Sequence, residues 1–173
     1  MVSNTRTFRS PLTNAVQTIG RKGSLWKCTM QFNNLTGNDR SIMQAFLAKL
    51  NGQEHRFYLQ DHGATKRGIA PNPTDTLLVN GATQTGASLV CDGATASQTG
   101  YLKAGDYIAF NNELKMVTAD CNSDGSGDIT IPIIPALRSS PANNAAIDYL
   151  QPVFGVFMLA SKSAWDTQPG SVS

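Results

Sequence analysis

Charge is what this chain has least of. Asp, Glu, Lys and Arg make up 15% of its 173 residues and leave a formal charge of +2, so no strong net field directs it to nucleic acid or an anionic membrane. The basic residues are scattered, apart from short pairs such as Arg21-Lys22 and Lys66-Arg67. Cysteine is scarce too. Cys28, Cys91 and Cys121 are odd in number and far apart, with no CxxC or Cys/His cluster, which supports neither a disulfide framework nor a zinc site. Histidine is limited to His55 and His62. Each stands beside a carboxylate in sequence, Glu54 or Asp61, and reads as a surface residue at a strand end. No G-x-S-x-G, paired-carboxylate spacing, Cys–His pairing or phosphate-binding glycine motif occurs, so no catalytic, cofactor-binding or metal residue is assigned and an enzyme is not expected. The start, MVSNTRTFRS, lacks an apolar segment, and no stretch nears the ~18 apolar residues of a membrane span. The expectation is a chain without signal peptide or membrane helix, folding in a reducing cytoplasm.

What is present is turn chemistry. Gly, Asn, Thr and Ser are frequent and helical periodicity occurs once, which predicts a mainly β chain. The one helix sits in the segment that looks best specified, residues 24–61. There Leu25–Phe32 alternates, with Trp26, Cys28, Met30 and Phe32 on one side, and predicts a half-buried strand. Asn33–Asn38 ends it and offers Thr36 or Asn38 as a helix N-cap. Asp39 suits the first turn of a helix over about 39–50, where Ile42, Met43, Phe46, Leu47 and Leu50 form one apolar stripe. Asn51-Gly52 provides a left-handed stop. Arg56–Asp61 predicts a second strand, and the helix should lie across the sheet these strands help build.

After Asp61 the composition changes. His62–Gly68 and Pro71-Asn72-Pro73 read as loop and mark a boundary. From Thr76 to Leu150 short strands alternate with turns: Thr76–Val79, Leu89–Cys91, Tyr107–Phe110, Glu113–Thr118, Ile129–Ile134 and Ala146–Leu150. Asn80-Gly81 and Asp92-Gly93 are hairpin signals, and Asn111-Asn112 another turn. Pro132 within Ile129–Ile134 calls for an edge or a bulge. So many short strands in so few residues fit a small closed or nearly closed barrel. Val153–Ala160 is the most apolar run and is expected in the middle of the first sheet. The predicted organisation is therefore 1–62 plus 152–173 as a β-sandwich-like domain with one helix, and 63–151 as an inserted small OB-like β-barrel. Residues 1–23 form a polar arm, with Phe8, Leu12, Val16 and Ile19 available to dock on a neighbour or on the chain's own sheet edge.

Two stretches invite a ligand reading. The loop Asp120–Asp128 matches the front half of a calcium loop, D-x-[DN]-x-[DN]-G, but Ile131 stands where the acidic twelfth ligand belongs and no flanking helices are expected. A solvated hairpin tip explains the same letters. Tyr101, Tyr107 and Phe110 offer rings on which a saccharide or a base would stack if exposed; core or rim packing is the favoured reading.

Three segments, LKAGDYIAF (102–110), LKMVTADCNSDGSGDITIPIIPALR (114–138) and PVFGVFMLASKSAW (152–165), resemble the distal tail proteins of long-tailed phages (siphophages). The unit WKCTMQFNNL…FLAKLNGQEHRFYLQD resembles that family's assembly domain. The resemblance implies a virion structural protein made in the host cytoplasm, a hexameric ring at the tail tip joining the tail tube to baseplate hub and fibre proteins, and an oligosaccharide/oligonucleotide-binding-type barrel inserted in the assembly domain. It implies no catalytic residue, cofactor, nucleic-acid partner or membrane. Other tail or neck ring proteins, and a saccharide-binding module at the tail tip, are the alternatives. A ring suits an exposed sheet edge plus an arm, since one heterologous surface then repeats until it closes.

Overall fold

The computed structural model describes residues 1–21, 23–59, 74–150 and 155–161. Among the described residues the chain is mainly β with one helix. It divides by its contacts into two units, Met1–Cys28 with Gln60–Gly155 and Thr29–Leu59 with Val156–Ser173. The expected strand Leu25–Phe32 does not form. Only Leu25 makes a β-bridge, to Val2, and residues 26–32 join no ladder. The alternation there records something else: Trp26 is half-buried, while Met30 and Phe32 stay exposed.

In the first unit, β1 (Thr5–Arg9) and β2 (Val16–Gly20) form an antiparallel hairpin. Its turn is closed by the Ser10 N–H on the Ala15 carbonyl at 2.9 Å, with Asn14 in the left-handed region at φ 54°. Every residue of both strands is exposed. Trp26 ties the root of this arm down: its indole N–H donates to the Leu114 carbonyl at 2.8 Å, and its ring meets Tyr107 edge-on at 5.8 Å.

The body of the unit is a five-stranded antiparallel sheet in the order β4 (Leu78–Val79), β5 (Ser88–Asp92), β8 (Ile129–Ile134), β7 (Glu113–Val117), β6 (Tyr107–Phe110). β8 shows why it is central. Ile129, Ile131 and Ile133 are buried while Thr130 between them is exposed, a period of two with one apolar face. Asn111 and Asn112, at φ 48° and 60°, make the tight β6–β7 turn with the twist that two-residue hairpins favour. Asn80-Gly81 does open the loop of a β4–β5 hairpin, whereas Asp92-Gly93 opens none, because β5 pairs with β8. Pro132 is on neither an edge nor a bulge. It pairs with Ser88 in the central strand and accepts the Thr118 N–H at 2.9 Å. Its missing donor faces the same side, so the reciprocal bond to the Thr118 carbonyl cannot form and the ladder with β7 stops at Val117.

The sheet curls into a half-barrel. Residues 145–149 reach both of its edge strands: Leu78 bridges Ala146, and Ala109 bridges Asp148, exchanging hydrogen bonds of 2.7 and 2.8 Å. Inside lies one hydrophobic core, including Leu77, Leu89, Leu102, Ile108, Ile131 and Leu137. Side chains of this kind each stabilise by about 1.5–3 kcal/mol when fully buried, so this segment, and not 24–61, is where the described chain has its packing energy.

In the second unit, α1 (Gly37–Lys49) begins after Thr36, whose extended backbone suits an N-cap although its side chain makes no cap bond. Asp39 sits in the first turn. Asn51 and Gly52, at φ 46° and 66°, reverse the chain after it. β3 (Phe57–Leu59) follows and pairs with β9 (Gly155–Phe157) in a two-stranded sheet. The apolar run thus joins the first sheet as expected, but as one of two strands rather than the middle of a larger one, and Val156 and Met158 remain exposed. Two strands are too few to cover the helix. Its stripe is half-covered at best: no helical residue is buried, and Ile42 is 59% exposed. The segment around Pro71-Asn72-Pro73 and the tail after Ser161 lie outside the described residues.

Candidate functional site

The candidate ligand residues are placed by their elements as follows. Tyr101 and Phe110 are in the core, so neither presents a ring to a saccharide. Tyr101 belongs to a clasp. Its hydroxyl donates to the Asp75 carboxylate at 3.0 Å, the Tyr149 hydroxyl donates to the Asp75 carbonyl at 2.7 Å, and Thr95 donates its N–H and its hydroxyl to the same carboxylate at 2.8 Å. Partial burial pushes the Asp75 carboxyl up, but the Thr95 and Tyr101 bonds outweigh it and hold it below its usual 3.8. Burial first, then the bonds to Tyr149 and Asp75, pushes the Tyr101 phenol above its ordinary 10.0. An acid kept ionised and a phenol kept neutral make a structural joint between residue 75 and the loops at 95–101, not a proton-transfer pair.

The Asp120–Asp128 loop uses its oxygens inward. The Asp124 carboxylate accepts the N–H groups of Ser126 and Asp128 at 2.8 and 2.9 Å, which holds its pKa down. Asp120 accepts the Ala104 N–H, and Asp128 accepts from Asn80. Among the described residues no group of three or more His, Cys, Asp or Glu is placed to hold a metal. This is the turn reading of the motif, with Asp capping its own loop.

Among the cysteines, Cys28 is exposed and Cys91 and Cys121 are buried, none in a disulfide. Burial raises both buried thiols, Cys121 to about 11, so neither is a nucleophile at neutral pH. His55 is exposed, and His62 lies outside the described residues. Lys115 was not legible as a core residue. It is 1% exposed, donates to the Ala136 carbonyl at 3.1 Å and pairs with Glu113 two residues away on the same face of β7.

What the structure offers instead is uncovered apolar surface. On the hairpin, Leu12 is 94% and Val16 62% exposed, and Phe8 and Ile19 are exposed beside them. Phe8 and Ile19 share one face with Arg6, whose guanidinium lies over the Phe8 ring. On the second unit, Ile42, Phe46, Val156 and Met158 are exposed. Next to them Phe46, Lys49, Leu50, His55, Arg56 and Phe57 line a cavity of about 350 Å³. Phe46 and Phe57 meet edge-on at 5.8 Å, and Arg56 is held by the Gln53 carbonyl at 2.8 Å. An aromatic floor beside Lys49, His55 and Arg56 offers apolar contact area next to cationic and polar groups. The helix stripe was visible in the sequence. The hairpin was not, because a ribbon exposed on both faces carries no alternation to read.

No helix among the described residues is long and apolar enough to cross a membrane. Comparison of the sequence with protein-family models and with curated proteins finds no match.

Proposed function

We propose that the chain is a structural subunit of a phage tail tip that closes into a ring, hexameric by the family it resembles, between the tail tube and the baseplate hub and fibres. One observation carries the reading: the hairpin and the helix stripe leave large apolar side chains in water, while the core of the same chain is tightly filled. Covering residues such as Leu12, Val16 and Ile42 in an assembly is worth roughly 1–2 kcal/mol each, and a two-stranded ribbon exposed on both faces is marginal by itself. The curled sheet, with both edges bridged by one segment, supports an inserted OB-like barrel acting as a spacer. The exposed helix with its short sheet supports a sandwich-like assembly domain completed by neighbouring copies. Negative-stain images and mass photometry of the purified protein test this. Rings of uniform size are expected; a stable monomer at high concentration refutes it.

A further inference from the structure

The small net charge hides a division. Residues 1–23 carry Arg6, Arg9, Arg21 and Lys22 and no carboxylate, a charge of +4, whereas 74–150 carry eight carboxylates against three cations, a charge of −5. Of those three cations, Lys115 is held by Glu113 and Arg138 donates to the Ser24 carbonyl. The negative charge is gathered by the fold. Thr95 binds Asp75, the Ala94 N–H donates to Gly127 and the Ser97 N–H to Asp124, and Asn80 binds Asp128. These bonds draw Asp75, Asp92, Asp124 and Asp128 to one loop end of the sheet. Among the described residues both strands of the arm are exposed, and the Glu113–Lys115 ion pair takes up none of the arm's charge.

The geometry points to a second copy of this chain as the occupant of the hairpin, with the Arg6–Phe8–Ile19 face of β1–β2 from one copy laid on the Asp92–Asp128 loop end of the next. Opposite charges on two different surfaces of one chain favour a head-to-tail contact, which repeats around a ring and gives neither surface a partner within the subunit. Arg6 supplies the charge of this face, and Phe8 and Ile19 beside it supply apolar area that loses water on docking, while Arg9, opposite Val16, stands on the other face. The contact is exposed to ions, so it weakens with salt, whose screening length is about 8 Å at physiological strength. This assignment rests on the ring reading and deepens it by naming which surfaces meet.

The experiment is mass photometry of the full chain at low and high NaCl, for the wild type, for Arg6→Glu, and for that variant combined with Asp92→Lys/Asp128→Lys. Circular dichroism melts check that each variant folds. Expected are an assembled wild type that weakens roughly tenfold or more at high salt, loss of assembly in the arginine variant, and recovery when both signs are exchanged. An arginine variant that assembles like wild type, independently of salt, overturns the docking assignment while leaving the ring standing. Loss without recovery overturns the acidic end as the target. A wild type that is monomeric throughout removes the ring and this contact together. A monomeric wild type that binds a labelled DNA duplex through Arg6 and Arg9 gives the arm to nucleic acid instead and likewise overturns it.

Discussion

Gly93 and Gly81 make a matched pair for testing how tightly the loop end of the sheet is built. Both have left-handed backbone, φ 82° and 92°, so a methyl group at either meets the same conformational penalty, about 1–2 kcal/mol. Their surroundings differ. A Cβ on Gly81 has nothing within 4 Å, while one on Gly93 would stand 2.1 Å from the Thr76 carbonyl oxygen and 3.1 Å from its carbon. Carbon and oxygen normally approach to about 3.3–3.6 Å, so the backbone at Thr76 must move by an ångström or more. That backbone leads into Leu77, which is buried and whose carbonyl accepts the Ile147 N–H at 3.0 Å. Forced displacement in a packed region costs about 1–3 kcal/mol, giving roughly 2–5 kcal/mol for Gly93→Ala against 1–2 for Gly81→Ala. In a body of this size each kcal/mol moves the midpoint by about 4–8 °C. Urea and thermal melts of the two variants, read by circular dichroism, check this. Gly127→Ala, 2.4 Å from the Ala94 oxygen, should fall with Gly93→Ala. Equal midpoints for Gly93→Ala and Gly81→Ala would refute the reasoning.

Three more outcomes can be measured directly. A maleimide in native buffer should label Cys28 and leave Cys91 and Cys121 untouched until denaturant is added, since only Cys28 is exposed; mass spectrometry counts the adducts, and native labelling of Cys91 would contradict its burial. Glu113→Ala should cost about 3 kcal/mol by leaving the Lys115 ammonium buried beside one carbonyl, whereas Lys115→Met should be neutral or stabilising by up to about 4 kcal/mol; the opposite order in urea midpoints would mean the pair is worth more than its desolvation. Stability should fall at both ends of the pH scale. The Cys91 thiol and Tyr101 phenol are raised in the fold, so their contribution, complete below their unfolded values of 9.0 and 10.0, is lost as pH rises beyond them. The lowered Asp75 carboxyl contributes above its unfolded 3.8 and loses that as pH falls through its folded value. Asp75→Asn should remove the Asp75 share of the acid limb and reduce the Tyr101 share of the alkaline limb, leaving the Cys91 share in place.

Local sequence chemistry was enough for the elements whose cause is local. The period of Ile42, Phe46 and Leu50 with Asn51-Gly52 after it specified the helix; the β-branched stretch Ile129–Ile134 specified β8, though not its central place; Asn111-Asn112 specified the β6–β7 turn. Class, and the placing of the late apolar run in one sheet with the strand after the helix, followed from the same patterns. Tertiary structure alone decided the rest. Whether an apolar face is covered depends on how many strands reach it, so the stripe on α1 reads like a core face and is largely bare, while Leu25–Phe32 alternates like a strand and joins none. Register, fixed by pairing Ile108 with Lys115 and Val117 with Ile133, turned a lysine inward, and strand order put Pro132 in the central strand of a sheet, opposite Thr118 at the end of β7. Closeness of Asp75, Asp92, Asp124 and Asp128 is likewise a property of the curled sheet: residues far apart in the chain share a charge environment only once long-range pairing has brought their loops to one end.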